Sequence, residues 1–493
     1  MQWSLEQENI FSAYEDMSDN LQVNAAPGSG KTTVQCEIWN RSFIGNTLYL
    51  AFNKPIVEEM CLRTQPRHGS KISTFNSLGH SICINTWPGL KLNKYKIEKH
   101  VKALVEHKLP TRSKEKDKYE LVKLVRYLKN IPHEVSSVDV QDTIDFYDID
   151  MYPDMIEHAL KVLLANINDM KEIDFSDQLL FPVLYGLYAP LYDTVLIDEA
   201  QDVNAVQIEL LKLLQARNPS VRLCSVGDSH QAIYAFRGSL SDSMADLSRE
   251  FEALNYPLTI TRRCDRKIVE LAQSLYPHDI TVSPTAQEGR VEYVDHGQYH
   301  IRPVYRNYTD IIPTLSLGVD MNNTLIVCRT TAPLVSFAYQ LLRSNIPCYI
   351  RGRDIGESLI KYIEKSNTEY VVDFLDYMTG DIGDSIVKAV IEKKEERVQS
   401  LEDKRDMLSL FCENTKSMYT RDVCLYISNL FKEGKGVQLS TVHKSKGLEA
   451  SRVVILARDL MPHPLARKDW ELVQERNIEY VALTRAQHVL TIL

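Results

Sequence analysis

No stretch of the 493-residue chain approaches the ~18 consecutive apolar residues that a membrane-spanning helix needs, so a membrane partner is not expected. No internal repeat and no low-complexity linker interrupts it, which sets aside solenoids and fibrous rods. The start, Met1-Gln2-Trp3-Ser4-Leu5-Glu6, has neither the basic nor the apolar region of a signal peptide. The nine cysteines stand singly, with no C-x-x-C pair. Together these absences predict reduced thiols, no zinc ribbon and a cytoplasmic location. What remains is globular: 44% hydrophobic and 25% charged residues are average values for folded domains. At roughly 150 residues per domain the length suggests about three.

Fifty-seven Lys and Arg against 66 Asp and Glu give a formal net charge of −9, which at first argues against nucleic acid. The charge is unevenly spread, however. Between Lys91 and Lys129 there are 13 Lys and Arg and only 5 Asp and Glu. Such a basic island can track phosphates, although a solvated helical face is the more common meaning.

Across residues 21–265 short apolar runs alternate with helical patterns. Leu21–Ala25, Thr47–Ala51, Thr194–Ile197 and Arg222–Val226 read as buried parallel strands, each followed by a loop and a helix. A second set begins near Gly289, with strands at Arg290–Val294, Thr324–Cys328, Val437–Thr441 and Val453–Leu456. The strand signal vanishes over residues 86–173 and again over 367–435. The expected class is therefore α/β: two P-loop-type domains with parallel sheets, each carrying a helical insertion. The first comprises residues 1–85 and 174–265, the second 266–366 and 436–493. The run Glu392-Lys393-Lys394-Glu395-Glu396-Arg397 fits a solvated helix with opposite charges one turn apart.

Ala25-Ala26-Pro27-Gly28-Ser29-Gly30-Lys31-Thr32 follows one of these strands and opens a helix. It is a P-loop with Ala25 in the first glycine position. Gly28 and Gly30 let backbone N–H groups close on phosphate oxygens, and the helix N-terminus favours the anion. Ala26, Pro27, Ser29 and Thr33 complete the nucleotide loop. Lys31 is placed to reach the β- and γ-phosphates and Thr32 to hold Mg²⁺. Asp198 and Glu199, after the apolar run Val195-Leu196-Ile197, supply a Mg²⁺-binding carboxylate and a group to activate water. The bare alternative for two such carboxylates is helix capping. A third strand end carries Gly227-Asp228-Ser229-His230-Gln231-Ala232-Ile233-Tyr234-Ala235-Phe236-Arg237-Gly238.

P-loop, DEAQD and GDxxQxIYxFRG, in this order, resemble the superfamily 1 helicases of the UvrD/Rep/PcrA type. Further segments extend the resemblance over both α/β domains. Gln7 matches the family's adenine-reading glutamine, while Ser4-x-x-Gln7 reads equally well as a helix capping box. Leu50-Ala51-Phe52-Asn53-Lys54 and Ser73-Thr74-Phe75-Asn76-Ser77-Leu78 resemble segments that meet single-stranded DNA, with Asn76 where a histidine is usual. Leu258–Cys264 resembles the motif with a phosphate-contacting arginine, aligned to Arg263, with Arg262 as the neighbour open to confusion. Ser440–Glu449 resembles T-x-H-x-x-K-G-L-E, implying ribose contact by Glu449 and DNA-backbone contact near His443. Glu479–Ala486 resembles Y-V-A-x-T-R-A, implying that Arg485 is an arginine finger.

The resemblance implies a catalytic set of Lys31, Asp198, Glu199, Gln231, Arg263 and Arg485, with ATP and Mg²⁺. It also implies DNA contacts by Phe52, Asn53, Phe75, Asn76, Tyr234, Phe236, Arg237 and His443. The expected activity is an ATP-dependent 3′→5′ helicase or translocase on single-stranded DNA, hydrolysing ATP at an inter-domain cleft. Expected partners are single-stranded DNA, single/double-strand junctions and proteins of replication, repair or recombination. The stretch before Ser440 is shorter than the family's usual insertion, which leaves open a translocase or protein-displacing remodeller without strong unwinding. An RNA helicase is the other open alternative.

Overall fold

Thr47–Ala51 carries no charged residue, and all five positions are buried. Its alternation divides two apolar clusters: Leu48 and Leu50 belong to one, Tyr49 and Ala51 to the other. Helices therefore cover both faces of the sheet, as a parallel sheet requires. The computed structural model describes residues 3–16, 18–42, 45–109, 114–234, 242–277, 280–313, 323–391, 395–432 and 434–493. The chain divides into two units, Met1–Thr259 and Ile260–Leu493.

In the first unit, α1 (Leu5–Asp16) precedes β1 (Leu21–Ala25), α2 (Lys31–Arg41), β2 (Thr47–Ala51), α3 (Lys54–Arg63), β3 (Lys71–Thr74) and α4 (Phe75–Thr86). A two-residue strand, β4 (Lys91–Leu92), leads into α5 (Lys96–Leu104), α6 (Lys114–Leu128), α7 (Ser137–Tyr147) and α8 (Met155–Ile167). The chain returns through β5 (Glu172–Ile173), α9 (Asp177–Leu184), β6 (Thr194–Ile197), α10 (Ala205–Arg217), β7 (Arg222–Gly227), α11 (Ser243–Glu250) and β8 (Leu254–Leu258). The main sheet has the order β3-β2-β6-β7-β1-β8 and every pairing in it is parallel. Local signals mark the helix starts: Asn53 caps α3, with Pro55 in its first turn, Thr74 caps α4, and Asn204 and Gln207 form a capping box on α10.

The helices α5–α8 have an apolar cluster of their own, including Ile97, Val101, Leu121, Val125, Ile144 and Val162. Their entry and exit strands lie side by side, Lys91 opposite Glu172 and Leu92 opposite Ile173. Above that pair sits a buried ionic cluster. Lys96 Nζ donates to Asp177 Oδ2 at 2.9 Å, and Lys129 Nζ donates to Asp174 Oδ2 at 2.6 Å and Asn166 Oδ1 at 2.8 Å. Two residues of the basic island are thus interior lysines.

The second unit builds a second parallel sheet. A short pair, β9 (Ile260–Thr261) and β10 (Thr281–Val282), precedes β11 (Arg290–Tyr293), β12 (Thr324–Cys328), β13 (Cys348–Ile350), β14 (Val437–Thr441), β15 (Ala450–Leu456) and β16 (Ala486–Ile492). The sheet order is β11-β16-β15-β12-β14-β13. Helices Val371–Ile391, Glu395–Thr415 and Thr420–Leu430 fill the stretch before β14. Unlike the first helical stretch, this one shares its core with the sheet: Phe374, Leu408, Phe411 and Ile427 lie in one cluster with Ile326, Phe337 and Leu439. Glu392–Lys394 of the charged run lie outside the described residues.

The protein is thus an α/β chain with two six-stranded parallel sheets flanked by helices, and the eight strands expected from apolar runs are all strands. All nine cysteines are free. Among the described residues no helix is long and apolar enough to cross a membrane.

Candidate functional site

The loop after β1 closes on itself before α2 begins. Ser29 Oγ donates to the carbonyl of Ala26 at 2.7 Å, and Gly28 and Gly30 take φ values of +71° and +100°. At Gly30 a side chain would be strained, and a Cβ there would also lie 3.4 Å from Gln7 Nε2. Gln7 is fully buried. It forms the capping box, since Ser4 N donates to Gln7 Oε1 at 3.0 Å and Gln7 N to Ser4 Oγ at 3.3 Å. Its carboxamide also abuts the loop, so capping and proximity to the nucleotide loop coexist. Lys31, Thr32 and Thr33 form the first turn of α2, where backbone N–H groups lack intrahelical partners.

Four sheet elements bring polar groups to this loop. Lys31 Nζ donates to the Ala25 carbonyl at 3.2 Å and lies 3.9 Å from Asp228 Oδ2, just past β7. Asp228 Oδ2 also accepts from Gln231 Nε2 at 2.7 Å. The Asp228 backbone N–H donates to Gln201 Oε1 at 2.9 Å, and Gln201 Nε2 in turn donates to Glu199. Gln201 can come so close only because residue 227 is glycine: a Cβ there would sit 2.6 Å from Gln201 Oε1. Lys31, Glu199 and Gln231 are therefore linked through Asp228 and Gln201.

Asp198 follows β6. Its Oδ2 accepts from the Tyr49 hydroxyl at 2.5 Å, and its Oδ1 accepts from the Glu199 backbone N–H at 2.8 Å. Burial, reinforced by the charge of Glu199, pushes the Asp198 carboxyl up to about 6. Burial and the neighbouring Asp198 hold the Tyr49 phenol well above its ordinary value. Glu199 itself takes φ +50°, a conformation that costs a non-glycine residue on the order of 1 kcal/mol or more and clusters at functional sites. Among the described residues no group of three or more His, Cys, Asp or Glu forms a self-sufficient metal site. A buried carboxylate and the hydroxyl of Thr32 nevertheless suit a hard cation whose other ligands are phosphate oxygens and water.

Phe52, on the loop after β2, stacks on Tyr234, with ring centroids 5.3 Å apart and planes inclined by 18°. Both rings are half-exposed. Asn53 accepts from Ile56 N at 3.1 Å as the cap of α3. Phe75, expected to meet DNA, is instead a core residue, 3% exposed, packed in the apolar cluster of the sheet, and offers no ring to a base. Asn76 Nδ2 donates to the Phe175 carbonyl at 2.7 Å and to Gln178 Oε1 at 3.1 Å. Phe236 and Arg237 lie outside the described residues.

The second unit gathers three of the distant motifs. Arg263 Nε donates to Glu449 Oε2 at 2.6 Å and its Nη1 to the Thr484 carbonyl at 3.1 Å, whereas Arg262 is exposed. Arg485 is buried, donating to the carbonyls of Val481 at 2.9 Å and Leu448 at 3.2 Å. His443 is half-exposed, on the short helix Val442–Ser445 after β14.

The sequence model of the UvrD/REP helicase N-terminal domain matches residues 5–252, half of the chain, and that of the UvrD-like helicase C-terminal domain matches residues 427–493. The chain belongs to the UvrD/REP helicase family. Curated relatives include the ATP-dependent DNA helicase PcrA of Staphylococcus epidermidis (strain ATCC 35984), 22% identical over 602 aligned residues covering 96% of this chain and 81% of the relative. PcrA of Staphylococcus aureus (strain Mu50) is 22% identical over 601, covering 96% and 80%. The helicase is accordingly an ATP-hydrolysing enzyme, a motor of the nucleic-acid helicase and translocase superfamily.

Four polar residues of this helicase had no role assigned from sequence: Tyr49, Gln35, Gln201 and Asp228. Gln201 and Asp228 stand inside recognised motifs. Tyr49 is detectable only as the one hydroxyl-bearing aromatic in an otherwise aliphatic strand interior, and Gln35 as a polar residue on the buried stripe of α2.

Proposed function

We propose that the helicase moves along single-stranded DNA with 3′→5′ polarity, using ATP hydrolysis to separate strands at junctions. The observation that carries this reading is the shared sheet edge. The nucleotide loop, the Lys31–Asp228–Gln231 network and the Phe52–Tyr234 ring pair all lie on loops following β1, β2, β6 and β7. Tyr234 stands three residues from Gln231, so a change sensed at the γ-phosphate has a short path to an aromatic surface suited to bases of any sequence.

In this reading Gln7 contacts the adenine, Glu449 the ribose, and Ala26 to Thr33 the phosphates. Lys31, Gln231, Arg263 and Arg485 stabilise charge on the transferred phosphoryl group, and Glu199 orients the attacking water. Thr32 and Asp198 would hold Mg²⁺. When bound, Mg²⁺ would neutralise the β- and γ-phosphate oxygens. Asn53, Asn76, the Phe236–Arg237 segment and His443 belong to the strand path. DNA is favoured over RNA because the relatives are named as DNA helicases, and replication, repair or recombination proteins are the partner classes that follow.

The test is ATP turnover with and without single-stranded DNA or RNA, using Lys31→Ala to exclude contaminating ATPase. Strand separation on 3′- and 5′-tailed duplexes follows. Turnover stimulated by DNA and lost in the variant, with unwinding from a 3′ tail, is the expected result. DNA-stimulated turnover without unwinding from either tail would replace strand separation by translocation. Stimulation by RNA alone would overturn the DNA assignment.

A further inference from the structure

Tyr49 is completely buried and belongs to the apolar cluster that also holds Val34, Ile38 and Trp39 of α2 and Leu196 of the neighbouring β6. A phenylalanine would satisfy that packing equally well, so the hydroxyl is the feature to be explained. A phenol in an apolar core costs stability unless its hydrogen bond is made, and here the partner is a single atom, Asp198 Oδ2, at 2.5 Å. The register accounts for the reach. Tyr49 pairs with Leu196 across β2 and β6, so its side chain need only extend two residues along the neighbouring strand to meet the carboxylate at the strand end.

The geometry restrains Asp198 from two directions. The phenol holds Oδ2, and the Glu199 backbone N–H holds Oδ1 at 2.8 Å, so the carboxylate plane is fixed by one donor on each oxygen. Each oxygen keeps lone-pair capacity for a further partner. The peptide just before Asp198 is fixed as well, because Gln35 Nε2 of α2 donates to the Ile197 carbonyl at 2.8 Å. The end of β6 is thereby tied both to the nucleotide-loop helix and to the adjacent strand.

We propose that Tyr49 is a positioning residue for the cation that accompanies ATP: its hydroxyl sets the orientation in which the Asp198 carboxylate receives hydrated Mg²⁺. This rests on the reading of Asp198 as the Mg²⁺ carboxylate. Groups that orient a metal-binding side chain in this way typically govern metal affinity by about 10- to 100-fold. Tyr49 touches neither nucleotide nor water in this role, and acts only through Asp198.

The test compares full-length wild type with Tyr49→Phe, Asp198→Asn and the double variant. Binding of a fluorescent, non-hydrolysable ATP analogue is titrated in EDTA and in increasing Mg²⁺. Half-saturating Mg²⁺ for ATP turnover is measured alongside, with melting temperature as the structural control. In Tyr49→Phe the analogue should bind as in wild type in EDTA, while the Mg²⁺-dependent tightening weakens and half-saturating Mg²⁺ rises about ten-fold. In the Asp198→Asn background the same change should add nothing. An unchanged Mg²⁺ response in Tyr49→Phe, with Asp198→Asn losing it, overturns the Tyr49 role alone. So does a Tyr49→Phe protein that melts lower and loses EDTA-state binding to the same degree, since that is packing. A Mg²⁺ response intact in Asp198→Asn removes the cation reading of Asp198, and the Tyr49 role with it.

Discussion

Lys96 and Asp177 form an ion pair at 2.9 Å in which neither side chain reaches water. Burial lowers the Lys96 ammonium from its ordinary value and raises the Asp177 carboxyl, so both charges depend on each other and on the adjoining Lys129 and Asp174. Removing one member of such a cluster strands the opposite charge, at about 3–5 kcal/mol. Lys96→Met should therefore lower the urea midpoint of the first unit strongly. Lys94→Met, at an exposed position of the same segment, should leave the midpoint nearly unchanged, a stability change of less than about 0.5 kcal/mol. Equal midpoints for the two variants would show that the cluster contributes nothing to stability.

The same pairing divides the basic island into two kinds of lysine. Lys96 and Lys129 are interior, and Lys99 Nζ lies 2.8 Å from Glu172, whereas Lys91, Lys94, Lys102 and Lys108 are exposed. If the α5–α8 region binds DNA, those four lysines meet its phosphates. Changing them together to alanine should weaken single-strand affinity and reduce the slope of log affinity against log salt by about 0.7 for each phosphate no longer neutralised. An unchanged slope by fluorescence anisotropy would leave this region with no part in backbone binding.

Why the charge pattern misleads is physical. The acids that neutralise Lys96 and Lys129 stand 81 and 45 residues away in sequence, beyond any local window. Strands buried on both faces, such as Thr194–Ile197, announce themselves by continuous apolar residues. The edge strands β3, Lys71-Ile72-Ser73-Thr74, and β8, with Asn255 and Pro257, carry too little apolar pattern to be recognised. The nucleotide loop and its acidic partner were legible because their residue types and spacing are tied to phosphate chemistry. Tyr49 and Gln35 were not, because each reaches the site through a strand register or a helix face that only the folded chain creates.

Asp198 gives a pH dependence with a definite sign. Its carboxyl is raised from 3.8 to about 6 in the folded chain. The folded state therefore holds this proton more tightly than the unfolded one between those values. Its contribution to stability is present below about 4 and is lost as pH rises through about 6. Above that, the buried carboxylate costs the nucleotide-free protein on the order of 3 kcal/mol. Asp198→Asn removes the charge and can keep both contacts, its oxygen accepting from the Glu199 backbone N–H and its NH2 group donating to the Tyr49 hydroxyl. It should melt higher than wild type at pH 7.5 without nucleotide, with the gap closing near pH 4.5, while ATP turnover is lost. Equal melting curves at pH 7.5 would mean that solvent or a nearby cation already compensates the charge.

Phe52 and Tyr234 offer the sharpest separation of strand grip from ATP binding. Their rings lie face to face at 5.3 Å and are only half-buried, so neither is committed to the core as Phe75 is. A base entering this site would exchange one aromatic face for another, and the net gain rests on the ring that remains. Loss of one platform should cost roughly 1–3 kcal/mol per stacked base, about 10- to 100-fold in affinity, with little dependence on base identity. Tyr234→Ala should therefore weaken binding to oligo-dT and to mixed-sequence single strands by similar factors. ATP-analogue affinity measured without DNA should remain at the wild-type value, because Gln231 keeps its bond to Asp228. If strand affinity were unchanged while the melting temperature fell, the ring pair would be a packing element of the sheet edge, and the strand path would have to run over other residues.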